Sequence, residues 1–275
     1  MEDDDARSAM RKNFDQFLQM ATSADIGFIL DTNTWRGCTK WAPKLDETEQ
    51  EMIELSKDAE EFVKEIRNAW RSKNTPVILN GVIGPSGDGY QPEILNSVAA
   101  ARDLHRLQIG ALVESGVDLI SAITMTNIDE ATGVTLEADS FGVSVVISFN
   151  LETDGRIPSG ETLEEAINLV DAATNDLPLY YMINCAHPDH FSHIITEGSD
   201  WLGRLGGIRA HASRLSHSEL DSAESLDEGD PDEFGALRVE LNQLLPNLKV
   251  VGGCCGTDHR HVGCVSRHLH ARKVA

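Results

Sequence analysis

Two rhythms alternate along this chain. Short apolar runs rich in β-branched residues fall at 27–31, 76–80, 117–122, 143–148, 179–184, 207–210 and 248–252. Runs of this length bounded by turn residues read as strands buried on both faces. The segments between them follow a helical period. Over 46–70, Met52, Leu55, Ala59, Phe62, Val63, Ile66 and Trp70 recur at three- and four-residue steps, which predicts one amphipathic helix. A second helix is predicted over 95–114, stopped by Gly116. Thr162-Leu163-Glu164-Glu165 opens a third, because Thr162 can cap it and Glu165 can complete the box. Thr257 or Asp258 starts the last one. Strand and helix in strict alternation predict a parallel sheet with helical crossovers. No repeat of solenoid length and no linker rich in Pro, Gly or Ser interrupts the pattern. The expectation is therefore one β/α domain over 1–275, with a disordered acidic stretch at 1–13.

Composition narrows the class. A chain of 275 residues that is 41% apolar can build a full core. Its formal net charge of −22 repels nucleic acid and anionic membranes. No apolar run approaches a membrane span, and Met1-Glu2-Asp3-Asp4-Asp5 lacks the positive start of a signal or transit peptide. Five cysteines without regular spacing argue against a disulfide framework and for a reducing compartment, so the expected location is cytoplasmic. The acidic stretch 219–233 reads as a solvated loop or helix face, and its spacing fits no EF-hand loop.

The chemistry concentrates at two strand ends. Asn184-Cys185-Ala186-His187-Pro188 closes one predicted strand, and Gly252-Gly253-Cys254-Cys255-Gly256-Thr257 closes another. Two strand ends delivering three thiols suit an open zinc site, in which three protein ligands leave a fourth position free. The plainer alternative is three buried, inert cysteines. Adjacent cysteines do not readily pair, and a Gly-Gly lead-in allows a turn sharp enough to aim both sulfurs one way. His187 and His190 follow Cys185 closely, but Pro188 constrains the turn and favours a capping role. Asn184 can anchor its loop by side-chain-to-backbone bonding. Cys38, in a loop, and Cys264, on a helix, read as non-ligands. Gly84-Pro85-Ser86-Gly87-Asp88-Gly89-Tyr90 lacks the lysine and spacing of a P-loop.

These motifs resemble the homocysteine S-methyltransferase family. The likeness is strongest at Val251–Thr257 and Ile183-Asn184-Cys185, and extends to Ile83-Gly84-Pro85, Val117–Ile120, Ile147-Ser148-Phe149 and Asn33-Thr34-Trp35. It implies a TIM-type (β/α)8 barrel with Cys185, Cys254 and Cys255 as ligands of a zinc ion. Catalytic groups of such barrels lie at the C-terminal ends of the strands. Asn33, Thr34, Gly84, Thr124, Asn184 and His211 all fall there and are the candidate substrate-binding residues. Seven strands are legible where the closed barrel has eight. Asp31–Trp35 matches the family's second strand end, and its first strand, with an Asp-Gly-Gly-type loop, has no counterpart. An open barrel exposes strand edges, so a homodimer is expected.

The resemblance implies methyl transfer from a sulfonium donor, S-methylmethionine or S-adenosylmethionine, to the thiolate of homocysteine or a related thiol. No cluster of aromatics suggests a cage for a quaternary ammonium donor. Three departures weaken recognition of an α-amino acid: Ile123 stands where the family commonly has Glu, His211 where it has Asn, and the first loop has no counterpart. The competing expectation is a catalytically impaired relative that acts as a zinc-binding or interaction protein. A metal-dependent hydrolase would need a His/Asp-rich metal site, which the thiol set disfavours.

Overall fold

The computed structural model describes residues 4–71, 75–91 and 95–273. Its elements run α1 (Asp4–Ser23), β1 (Phe28–Asp31), α2 (Ala42–Leu45), α3 (Glu49–Trp70), β2 (Val77–Ile83), α4 (Val98–Ser115), β3 (Leu119–Met125), α5 (Ile128–Ser140), β4 (Val145–Asn150), α6 (Leu163–Thr174), β5 (Tyr181–Asn184), α7 (Pro188–Phe191), β6 (Leu205–Ala210), α8 (His217–Asp221), α9 (Pro231–Leu244), β7 (Val250–Gly253) and α10 (His259–Lys273). The strand order in the sheet is the chain order, β1 to β7. All seven predicted strands are present, most of them shifted by about two residues.

The chain, read from sequence as one domain, divides into two compact units: 1–87, 96–123 and 129–146 form the first, and 88–95, 124–128 and 147–275 the second. In the first unit β1 pairs parallel with β2 from Phe28↔Val77 to Asp31↔Asn80, and β2 with β3 from Asn80↔Leu119 to Ile83↔Ala122. The stripe predicted on α3 provides its core: Phe62, Val63 and Ile66 pack with Leu18, Leu30 and Leu79. Thr48 and Glu51 form a full capping box at the start of α3, two residues past the start expected at Asp46.

The N-terminal expectation is corrected. Residues 4–13, read as disordered, are the first half of α1. The stretch folds because it has partners on α3. Arg7 and Arg11 pair with Glu65 at 3.1 and 2.8 Å and lie over the Phe62 ring, and Met10 and Phe14 pack on the core. Residues 1–3 lie outside the described residues. Helix α5 was not predicted either. It is buried on nearly all sides, Glu130 and Glu137 included, so it shows no amphipathic stripe.

In the second unit, β4 pairs with β5 from Ile147↔Tyr181 to Asn150↔Asn184, β5 with β6, and β6 with β7 up to Ala210↔Gly253. The capping box at Thr162 is present. The end of the acidic stretch forms the start of α9, where Asp230 caps the Asp232 and Glu233 amides and Pro231 takes the first turn. That signal lay in the sequence but was masked by the charge run.

Candidate metal centre

The thiols of the second unit meet. The Sγ atoms of Cys185, Cys254 and Cys255 lie within 4.8 Å of one another. β5 delivers the first and β7 the other two, and each loop is fixed by backbone bonds. The Cys254 amide donates to Ala210 O at 2.8 Å, the Ala212 amide to Cys255 O at 3.1 Å, and the Cys185 amide to Arg209 O at 3.2 Å. The double-cysteine turn differs from its sequence reading. Gly252 and Gly253 belong to β7, and the left-handed residue is Gly256, after the cysteines, with φ 75°. Gly253 is required for space, because a Cβ there would collide with the Thr257 hydroxyl. Thr257 in turn donates that hydroxyl to Cys254 O at 2.6 Å, closing the turn.

The Sγ atoms of Cys254 and Cys255 are 3.9 Å apart. Two sulfurs each about 2.3 Å from a tetrahedral zinc stand about 3.8 Å apart, so this pair already has a metal-binding separation. Cys185 and Cys254 are joined as a disulfide with Cα atoms 5.6 Å apart. Strand ends that bring ligands to one point also bring these two sulfurs within bonding reach. In the reduced chain the donor set is three thiolates of a soft type that suits zinc. Cys185 is buried and Cys255 exposed. Cys38 and Cys264 are buried and lie outside this cluster.

Three residues outside the predicted site set, Tyr90, Glu152 and His217, stand beside the cysteine loops. Tyr90 O–H lies 4.0 Å from Cys255 Sγ. Its loop is held by Asp88, whose carboxylate accepts the Tyr90 and Gln91 amides at 2.8 and 2.9 Å, and by Asn150, which donates to Gly89 O at 2.9 Å. Burial and the neighbouring Cys255 push the Tyr90 hydroxyl well above its ordinary pKa, so it stays protonated. The Tyr90 ring lies against that of His217, centroids 4.2 Å apart. His217 Nε2 donates to Cys185 O at 2.7 Å, and its Nδ1 is 3.2 Å from Glu152 Oε1. Burial opposes the charged form of His217, but the bonds to Glu152 and Cys185 outweigh it and raise the pKa. Only the tyrosine had a signal in the sequence, its place in a glycine-rich loop.

Of the predicted substrate residues, Thr124, Asn184 and His211 lie in the second unit with the cysteines. Asn184 is fully buried; its Oδ1 accepts the Thr124 amide at 3.0 Å and the Ser148 hydroxyl at 2.6 Å, and its Nδ2 donates to Thr124 Oγ1 at 2.9 Å. This is the loop-anchoring geometry, and it holds Thr124 in a left-handed conformation, φ 66°. His211 is buried with no hydrogen-bond partner at Nδ1, and burial depresses its pKa to about 4. His187 caps α7 by accepting the Asp189 amide, and His190 bonds Arg214 O at 2.9 Å. Asn33, Thr34 and Gly84 belong to the first unit. Asn33 and Thr34 line a cavity of about 370 Å³ with Met10, Met52 and Leu55. A Cβ at Gly84 would collide with the Trp35 carbonyl, so this glycine serves packing. Ile123, in the same unit, is buried.

The comparisons with known proteins agree with this geometry. The family model described as homocysteine S-methyltransferase matches residues 5–269, and the chain belongs to that family. It is 27% identical over 180 residues to homocysteine S-methyltransferase 1 of Arabidopsis thaliana, covering 64% of this chain and 53% of the relative. It is 22% identical over 213 residues to the selenocysteine Se-methyltransferase of Brassica oleracea var. italica, covering 73% and 60%. The chain thus spans about half the length of the first of these relatives. Its fold matches the Escherichia coli homocysteine methyltransferase MmuM, with TM-score 0.72 and 18% identity to the oxidized form over 97% of this chain and 85% of that one. Against the metallated form the TM-score is 0.70 at 16% identity, over 92% and 83%. The seven parallel strands are an incomplete version of that TIM-type fold.

Proposed function

We propose that this chain is a zinc-dependent thiol S-methyltransferase, moving a methyl group from a sulfonium donor to the thiolate of homocysteine or a related thiol. The observation that carries the reading is the meeting of Cys185, Cys254 and Cys255 sulfurs within 4.8 Å from two distant strand ends. These residues would hold the zinc. When bound, the ion keeps a coordinated acceptor thiol deprotonated at neutral pH, where a free thiol is only a few per cent thiolate. The acceptor sulfur then attacks the donor methyl in line. A new S–CH3 bond forms, the donor S–CH3 bond breaks, and the donor leaves as a neutral thioether. No general acid is needed, and the protein's part is alignment and exclusion of water. The protonated Tyr90 hydroxyl stands beside Cys255, and its ring is backed by His217.

S-methylmethionine and S-adenosylmethionine are the donors this reading favours. A reducing, cytoplasmic setting suits it, because the ligands must be free thiolates. Among the described residues no helix is long and apolar enough to cross a membrane. A homodimer is part of the proposal, checked by light scattering.

The test is zinc per chain in reduced protein, followed by methyl transfer to homocysteine from each donor. One zinc with turnover supports the reading. No zinc in a folded sample sinks it. Zinc without turnover on any thiol supports the second reading, an impaired zinc-binding relative, which the buried Ile123 in place of the family's glutamate favours.

A further inference from the structure

We propose that His217 is a positioning residue for Cys185, a strut that sets the direction of that thiol through its backbone carbonyl. The consequence for metal binding rests on the zinc reading above. Cys185 has φ 51°, in the left-handed region that residues with a Cβ seldom occupy. Such a conformation persists only where the surroundings over-determine it. Three bonds do so here. The Cys185 amide donates to Arg209 O and the His211 amide to Ala186 O, both at 3.2 Å. The third and shortest comes from a side chain, His217 Nε2 to Cys185 O at 2.7 Å.

A strut must itself be fixed, and His217 is held on three sides. It is the first residue of α8, behind the capping box of Ser216 and Glu219. Its Nδ1 meets Glu152 Oε1 at 3.2 Å, and its ring lies on Tyr90. Its side chain is only 11% exposed. Both ring nitrogens face oxygen atoms, Nε2 that of Cys185 and Nδ1 that of Glu152, so the ring is fixed at both ends. The strut ties Glu152, just past β4, to the cysteine at the end of β5. Partners of this kind orient a ligand without touching the metal, and their removal typically weakens metal binding by about 10–100-fold.

The experiment compares the full reduced chain with His217→Ala and His217→Gln. Hydrogen exchange on metal-free protein is read at peptides spanning 183–187 and 209–213, and zinc affinity by competition with a chromophoric chelator. His217→Ala is expected to exchange about tenfold faster at both peptides, with 163–174 unchanged. Its zinc affinity falls by about 10–100-fold. His217→Gln keeps a donor and recovers part of both losses. Exchange and affinity within about twofold of the parent in a folded His217→Ala protein overturn the proposal. If that variant does not fold, the same criterion is applied to His217→Phe, which keeps a ring on Tyr90 and has no donor. A parent chain that binds no zinc defeats the proposed function, and the exchange comparison still decides the strut.

Discussion

The two units use their strand ends differently. In the first, the polar groups past β1 and β2 are turned onto one another. Thr34 donates to Val82 O at 2.8 Å, Gln108 donates to Thr34 O at 2.7 Å, and the Ser86 amide bonds Glu130, which also meets His105 Nε2 at 2.9 Å. In the second, the loops that hold Cys255, His211 and Tyr90 carry atoms at the surface or left over. Cys255 is exposed, His211 Nδ1 has no partner, and Tyr90 O–H points to Cys255 Sγ. Similar β/α construction thus gives a scaffold in one half and a chemical site in the other. What separates them is the side chains the loops carry: thiols at Cys185, Cys254 and Cys255 in the second unit, hydroxyl, amide and carboxyl groups in the first.

That contrast breaks most directly at the cysteines. Cys254→Ser should lower bound zinc from about one per chain to near zero, read by metal analysis of reduced protein, while the fold survives. The reverse experiment removes the buried partner of His105. Glu130→Ala should cost about 1–3 kcal/mol in urea unfolding, because it leaves the buried His105 ring and the Ser86 amide without their acceptor, yet zinc binding by the second unit should persist. If Glu130→Ala abolished zinc binding in a folded protein, the division of labour would be wrong.

Thiol chemistry sharpens the same contrast. Burial pushes the Cys38 pKa up to about 11, so at pH 8 about one molecule in a thousand is thiolate. Alkylation of reduced, metal-free protein should mark the exposed Cys255 at least about 100-fold faster than Cys38, as read by peptide mass spectrometry. Equal rates would place Cys38 in solvent and contradict the packing around it.

The smallest expected effect is on acid stability. Burial alone would raise the Glu130 pKa, but bonds from His105 and Ser86 outweigh it and hold the carboxyl below its ordinary 4.5. A depressed carboxyl contributes stability that is complete above about pH 4.5 and is lost as pH falls through the folded value. Unfolding free energy of the parent should therefore decline more steeply below pH 4.5 than that of Glu130→Gln. Parallel profiles would remove Glu130 from the account.

Much of this was legible in the chain. All seven strands appear because buried parallel strands write themselves as apolar runs, and α3 appears because one of its faces stays wet. The boxes at Thr48 and Thr162 share one local signal, yet only the second was read from sequence. The three thiols were legible because cysteines at two strand ends are rare without a purpose. Helix α5 was not legible, since burial on every side erases its period. Residues 4–13 were misread because acidity at the start looks solvated, whereas Arg7 and Arg11 find Glu65 some 54 to 58 residues away.

The sequence by itself determined the strand–helix alternation, the cysteine set and the family resemblance, because each rests on local pattern or on residue identity. Only the tertiary structure decided which groups stand around the thiols. Tyr90 reaches the Cys255 sulfur, His217 reaches the Cys185 carbonyl and is met by Glu152, and Asn184 closes on Thr124 from 60 positions away. Contacts between distant positions leave no mark on periodicity, since they are fixed by which strand ends lie side by side once the sheet has formed.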